Sequence, residues 1–241
     1  MSLNEDWEPG FGTIFIWFAM DKFGRIAVMV NNCWGDIPKV LLSTPDIKYW
    51  LDNMSEYLWE ESKIYVNYPK DKNGDFFVDL YSAWMIGNKM TRDEFVQSCR
   101  DSLENMGHYS DTNIAVNKGI FMYFGVEGCR EGEDYPVGYI GETKMGDYYR
   151  QLVPTLYGSI DDFPEELSAI VAVSDSVDFT KDRVLDNNKI NDYFPAKYDR
   201  NIHAEMVTNN SDKKRKLKCL NKIKKKCISA FWSVCKSRMP K

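Results

Sequence analysis

Two runs of aromatic and β-branched residues, 13–20 and 25–31, flank Asp21-Lys22-Phe23-Gly24, a four-residue turn whose glycine can take positive φ. The pattern predicts a hairpin. Ser43-Thr44-Pro45 then supplies a cap and a first-turn proline, and Ile47, Leu51, Met54 and Leu58 recur at helical spacing, which predicts a helix over about 45–59. A second hairpin is expected from 63–68 and 75–81 around Lys72-Asn73-Gly74, because Asn-Gly favours a tight turn. Thr91 and Glu94 have the spacing of a capping box, Phe95, Cys99, Leu103 and Met106 form an apolar stripe, and Gly107 ends that helix. The order strand, strand, helix thus recurs after about 45 residues.

Farther along, residues 113–126 are apolar and rich in β-formers, and 135–141 is expected to pair with them across a loop rich in Gly and Glu. Pro164-Glu165-Glu166 opens a short helical turn, and the apolar run of Leu167 and 169–173 reads as a buried strand. Residues 174–208 read as irregular and polar. The class that results is α+β: a mainly antiparallel sheet built from hairpins and covered by helices. A basic amphipathic helix follows at the C-terminal end. Its apolar positions, Leu217, Leu220, Ile223, Cys227, Phe231 and Val234, recur every three or four residues, with Lys214, Lys218, Lys222 and Lys225 among the cations between them.

Charge sharpens that division. Residues 209–241 carry twelve Lys or Arg against one Asp, a net of +11, which leaves a net of −16 on residues 1–208. Two units are expected, an acidic α+β domain over 1–208 and the basic tail over 209–241. An acidic body repels nucleic acid and anionic membranes and favours basic partners, whereas the tail does the reverse. Three surfaces suit the tail: nucleic acid or an anionic membrane, a groove on a protein, or the acidic body itself. The longest purely apolar run, 14–20, is far shorter than the roughly 18–20 residues a membrane helix needs. The acidic Asn4-Glu5-Asp6 start lacks the basic character of a secretory signal, and six cysteines without a C-x-x-C pair suit reduced thiols, so a cytoplasmic location is expected.

Against this scaffold the candidate chemistries are sparse. Cys33-Trp34 superficially resembles the Cys-Trp of papain-like proteases, yet Ala27 stands where that family places a glutamine six residues before the nucleophile. Cys33 also follows a strand rather than opening a helix, so no helix amides lower its pKa. A cysteine hydrolase would need His108 or His203, the two histidines of the chain, brought to Cys33 by the fold. The calcium-like Asp71-Lys72-Asn73-Gly74-Asp75 has Gly74 fourth and Ser82 twelfth, where an EF-hand needs glycine sixth and a carboxylate twelfth. The glycines at 125, 128, 132, 138, 141 and 146 lack the spacing of phosphate and dinucleotide loops. Acidic pairs such as Asp161-Asp162 and Glu165-Glu166 are unsurprising among 36 carboxylates. No metal, cofactor or catalytic constellation is expected. Trp17, Trp50, Trp59 and Trp84 read as core, and Trp34 as packed over the sheet edge beside Val30 and Ile37.

The stretch "WFAMDKFGRIAVM", followed by Gly35-Asp36-Ile37-Pro38, resembles the opening of bacterial proteins with a Trp-Phe-x-x-Asp-x-x-Gly-x-Ile-Ala pattern. Some of those are similar to immunity proteins of polymorphic toxin systems, and the match covers about 25 of the 241 residues. The resemblance implies a compact acidic body that occludes a basic toxin without catalysis. The expected function is a non-catalytic interaction protein with a basic protein partner. Its candidate surface is Trp34, Asp36, Glu127, Glu131, Glu133 and Asp134, with the tail lysines apart. The alternatives are a hydrolase using Cys33 and a binder of nucleic acid or anionic membrane acting through the tail.

Overall fold

A computed structural model describes residues 3–82, 90–127 and 136–200. The first hairpin forms as expected: β1 (Ile16–Met20) and β2 (Ile26–Val30) pair antiparallel, with Trp17 opposite Met29 and Ala19 opposite Ala27. Gly24 takes φ 81 in the turn, a conformation costly for a side chain with Cβ. All five residues of β2 are buried, the mark of a strand covered on both faces. A short α1 (Lys39–Leu42) precedes α2 (Ile47–Leu58), and Ile47, Leu51, Met54 and Leu58 all face the core. The cap differs from expectation: Asp46, at φ 53, stands before Ile47, while the Ser43 and Thr44 hydroxyls turn back to donate to the Val40 carbonyl.

The second hairpin does not form, and with it goes the recurring strand, strand, helix order. Residues 63–68 pair with no strand; Tyr65 and Tyr68 turn onto Tyr57 instead, with ring centroids 6.5 and 5.5 Å from it. The turn at 72–74 closes onto a distant segment of the chain, Lys72 N and Gly74 N donating to the Asn117 and Val116 carbonyls. β3 (Phe76–Val78) is therefore free to take a distant partner, and β4 (Tyr81–Ser82) follows it. Helix α3 (Arg92–Met106) has the expected capping box: Glu94 N donates to Thr91 Oγ1 at 3.3 Å, and Thr91 N to Glu94 Oε2 at 2.7 Å. Its stripe is only partly covered. Cys99 is buried and Phe95 stacks on Tyr81 at 5.1 Å, but Met106 is 52% exposed.

The expected strand over 113–126 is half helix. Ser110 Oγ accepts from Thr112 N and starts α4 (Asp111–Asn113), which runs into a π-helical turn over Ile114–Lys118 before β5 (Phe121–Gly125) begins. Gly119 ends the turn at φ 71, so close to the Leu156–Gly158 backbone that a Cβ would lie 2.5 Å from the Leu156 oxygen. β6 (Pro136–Val137) pairs with β4, Tyr81 opposite Val137, rather than with 113–126. β5 lies instead between β2, parallel, and β7 (Tyr148–Pro154), antiparallel, and β7 carries β3 on its other side. The free edge of β3 is blunted by side chains: Phe76 N donates to Asp75 Oδ1, and Arg92 donates to the Val78 carbonyl.

In the last third, α5 (Glu165–Ser168) opens after Pro164, and only β8 (Ala172–Val173) of the expected buried strand is strand. Residues 174–198, read as irregular and polar, hold β9 (Val184–Leu185), α6 (Ile190–Tyr193) and β10 (Ala196–Lys197). They also bury Val177, Phe179, Leu185, Ile190 and Phe194. The fold is α+β. Its eight-stranded sheet runs β10-β8-β1-β2-β5-β7-β3, with β9 on β7. It is mixed, since β1–β8 and β2–β5 are parallel while the other pairings are antiparallel. Trp17 is core, Trp50 and Trp59 are half-buried, and Trp84 lies outside the described residues, as does the whole tail with Lys214, Lys218, Lys222 and Lys225. No helix among the described residues is long and apolar enough to cross a membrane.

Candidate interaction site at the ends of two parallel strands

Because β2 and β5 are parallel, the loops that follow them leave at the same end of the sheet. Asn31 shapes the first loop. Its fully buried carboxamide accepts from Phe15 N at 2.7 Å and donates to the Thr13 and Gly35 carbonyls. Asn32 Nδ2 donates to the Gly125 carbonyl at 2.9 Å and ties this loop to the end of β5. Asn32 and Cys33 take φ 45 and φ 68, two successive left-handed residues that turn the chain sharply. The Trp34 carbonyl is thereby pressed against Gly146, where a Cβ would lie 2.5 Å away. Trp17 Nε1 donates to the Tyr148 hydroxyl at 2.9 Å, which in turn donates to the Asp36 carbonyl at 2.9 Å.

Two later segments close the site. Asp36 N donates to Asn187 Oδ1 at 2.7 Å; Asn187 N and Lys144 N donate to the two oxygens of Asp147 at 2.8 and 3.0 Å. Lys144 Nζ pairs with Asp186 Oδ1 at 2.7 Å. Beside this knot lies a polar cleft of about 530 Å³ lined by Tyr139, Glu142, Thr143, Lys144, Asp186 and Tyr193, within the size range of ligand pockets.

The electrostatics of the cleft are uneven. Burial pushes the Asp36 carboxyl up, with Glu8 adding to the effect and Lys39 opposing it. Burial also raises Asp147, outweighing its two backbone donors. Asp186 is held below the usual carboxylate range by its hydrogen bond from Lys144. With both oxygens committed to backbone, Asp147 organises the loops; Asp186 is paired with Lys144, and the exposed Glu142 is the carboxylate of the lining that offers negative charge to a ligand. Such a carboxylate accepts ammonium and guanidinium groups.

The sequence matches no protein-family model, no curated protein and no solved structure. Its own expectations can be placed in the fold. Trp34, Asp36 and Glu127 come to this one end of the sheet, each half-buried, while Glu131, Glu133 and Asp134 lie outside the described residues. Trp34 is thus less covered than a core reading requires. Glu142, Lys144, Asp186 and Asn187 were not legible as site residues; the turn-forming pairs Gly146-Asp147 and Asp186-Asn187 are the only local signal of their loops.

Cys33 is 8% exposed. No hydrogen bond joins it to His108, which sits on the turn Gly107–Tyr109 with its ring 4.0 Å from that of Tyr109, and His203 lies outside the described residues. No group of three metal-ligating side chains occurs among the described residues. Burial sets a testable outcome for the thiol. In the native protein, Cys33 is expected to alkylate at least about tenfold more slowly than a free cysteine at neutral pH, and at the free rate in urea. Peptide mapping after iodoacetamide labelling reads this directly, and native labelling faster than free cysteine would restore the nucleophile reading.

Proposed function

We propose that the chain is a non-catalytic interaction protein of the immunity type, whose acidic surface binds a basic protein partner such as a toxin. The reading is carried by the net charge of −16 on residues 1–208, with Glu142, Asp147 and Asp186 lining one cleft and Asp36 and Glu127 following the strands that end beside it. Convergent carboxylates raise the encounter rate with a cationic surface and reject anionic ones. The half-buried Trp34, at the same end of the sheet, supplies the aromatic anchor that interfaces favour.

Protection from a toxin is the test. Cells expressing a basic toxin encoded beside this gene are expected to survive when the chain is co-expressed. Asp36→Lys with Glu142→Lys is expected to weaken the purified complex by about tenfold or more, with unchanged thermal unfolding. Absence of any such toxin gene, or full protection by the charge-reversed chain, sinks the reading.

A further inference from the structure

A second surface stands apart from the cleft, on α2, the segment that follows it and α5. The sequence of 63–68 alternates like a strand, but in the fold its inward positions are taken by tyrosines. Tyr65 and Tyr68 lie against Tyr57, the Tyr68 hydroxyl donates to the Ser62 carbonyl, and Ser62 Oγ accepts from Ile64 N and Tyr65 N. The outward positions are therefore Ile64 and Val66, each 61% exposed on a backbone held in place. Tyr49, 52% exposed and in edge contact with Trp50, extends the apolar surface onto α2. Tyr57 also meets Phe163, with ring centroids 6.1 Å apart, which brings the chain leading into α5 to the same cluster, and burial raises the Tyr65 hydroxyl with Glu166 and Tyr49 adding to the effect.

The same elements are rich in acid. Residues 46–72 and 160–168 hold ten carboxylates against four lysines, and they pack together through Tyr57, whose hydroxyl donates to the Asp162 carbonyl at 2.8 Å. Lys48 is engaged by Asp52 and Lys72 by Asp162, while Lys118 comes in from the π-helical turn to Glu60 and Asp71. Lys63 and Lys70 remain exposed. Glu56, Glu61 and Glu166 are exposed and have no cationic partner among the described residues.

We propose that Tyr49, Ile64 and Val66, rimmed by Glu56, Glu61 and Glu166, form a docking surface for a cationic amphipathic segment of a protein partner. Charge selects that occupant. An anionic membrane or a nucleic acid would meet carboxylates around the apolar contact, and the same face of a second copy would bring the same carboxylates to it. A segment with leucine-like residues on one face and lysines on the other covers the apolar residues and neutralises the rim together. The held backbone lowers the ordering cost of binding. This surface does not depend on the reading of the cleft.

The test uses the full chain and a fluorescent synthetic peptide of about 18 residues with leucine and lysine at helical spacing, long enough to fold on a surface. Saturable binding is expected by anisotropy, and any binding of a peptide with glutamate replacing lysine, which the basic tail can attract, is expected not to respond to substitutions in this surface. Ile64→Ser with Val66→Ser, and separately Glu61→Lys with Glu166→Lys, are each expected to weaken it about tenfold or more. Asp36→Lys with Glu142→Lys, at the end of the sheet that holds the cleft, is expected to leave it within about twofold, which separates the two proposals. Failure of the wild-type chain to bind the lysine peptide, or indifference of that binding to either pair of substitutions, overturns the proposal. So does retention on phosphatidylglycerol vesicles that Ile64→Ser with Val66→Ser abolishes, which would make this surface a membrane contact.

Discussion

Asp21→Ala is expected to cost about 3–5 kcal/mol of folding stability, the range for stripping one partner from a buried, hydrogen-bonded charge pair. The Asp21 side chain is fully buried. Its Oδ1 accepts from Phe23 N at 2.9 Å and Arg25 N at 3.0 Å, and its Oδ2 accepts from Phe179 N at 3.0 Å and meets Arg25 Nε at 3.2 Å. Alanine would leave three N–H groups without their acceptor, and Arg25 would keep its 3.2 Å pair with Asp178 and its place over the Phe23 and Tyr157 rings but lose its buried partner. The damage would spread, because Phe179 is also held by Arg150, which donates to its carbonyl and is anchored by Asp79 at 2.6 Å. Asp21→Asn keeps one acceptor and is expected to lose about 2 kcal/mol. Urea unfolding at neutral pH measures both. A loss below about 1 kcal/mol for the alanine variant would show that the turn reorganises around the gap.

Asp21 also gives the Trp-Phe-x-x-Asp-x-x-Gly-x-Ile-Ala pattern a physical meaning. Trp17, Phe18, Ile26 and Ala27 are fully buried, Gly24 takes the left-handed turn, and Asp21 welds that turn to the distant 177–179 segment. Every position of the pattern builds the sheet in this protein. None of them lines the cleft described above.

Gly125→Ala is the second large effect. A Cβ at Gly125 would lie 2.4 Å from the Asn31 carbonyl oxygen and 2.9 Å from its carbon, and both atoms belong to backbone that no rotamer change can move. The Gly125 carbonyl also accepts from Asn32, so the strand end cannot back away without breaking that bond. The expected cost is about 3 kcal/mol or more, at the severe end for overpacking. Gly10 has nothing within 4 Å of a built Cβ, and Gly10→Ala is expected to fall within about 0.5 kcal/mol of wild type. Paired thermal melts of the two variants check the contrast; equal melting temperatures would mean that β2 and β5 separate at this end far more easily than their packing indicates.

What the sequence determined by itself was local. The turn glycine and flanking apolar runs specified the first hairpin, and the apolar residues of α2 and the capping box of α3 specified those helices to within two residues at their starts. Each signal lies within a few residues of the structure it controls, through a φ value, a cap or a helical face. Tertiary structure decided which strands meet. Residues 63–68 have strand propensity, yet burying Tyr65 and Tyr68 on Tyr57 took precedence over a ladder. Phe76–Val78 found its partner in Leu152–Pro154, and β2 paired in parallel with β5 across more than ninety residues. No short-range pattern encodes such choices, because the gain comes from apolar area shared with side chains remote in the chain. The 174–198 segment was opaque for a related reason: Val177, Phe179, Leu185, Ile190 and Phe194 are buried one at a time, at no fixed period, by short elements. The cleft inherits this, since Asp36, Lys144 and Asp186 share a site only because two parallel strands end together and Asn187 and Asp147 knot their loops.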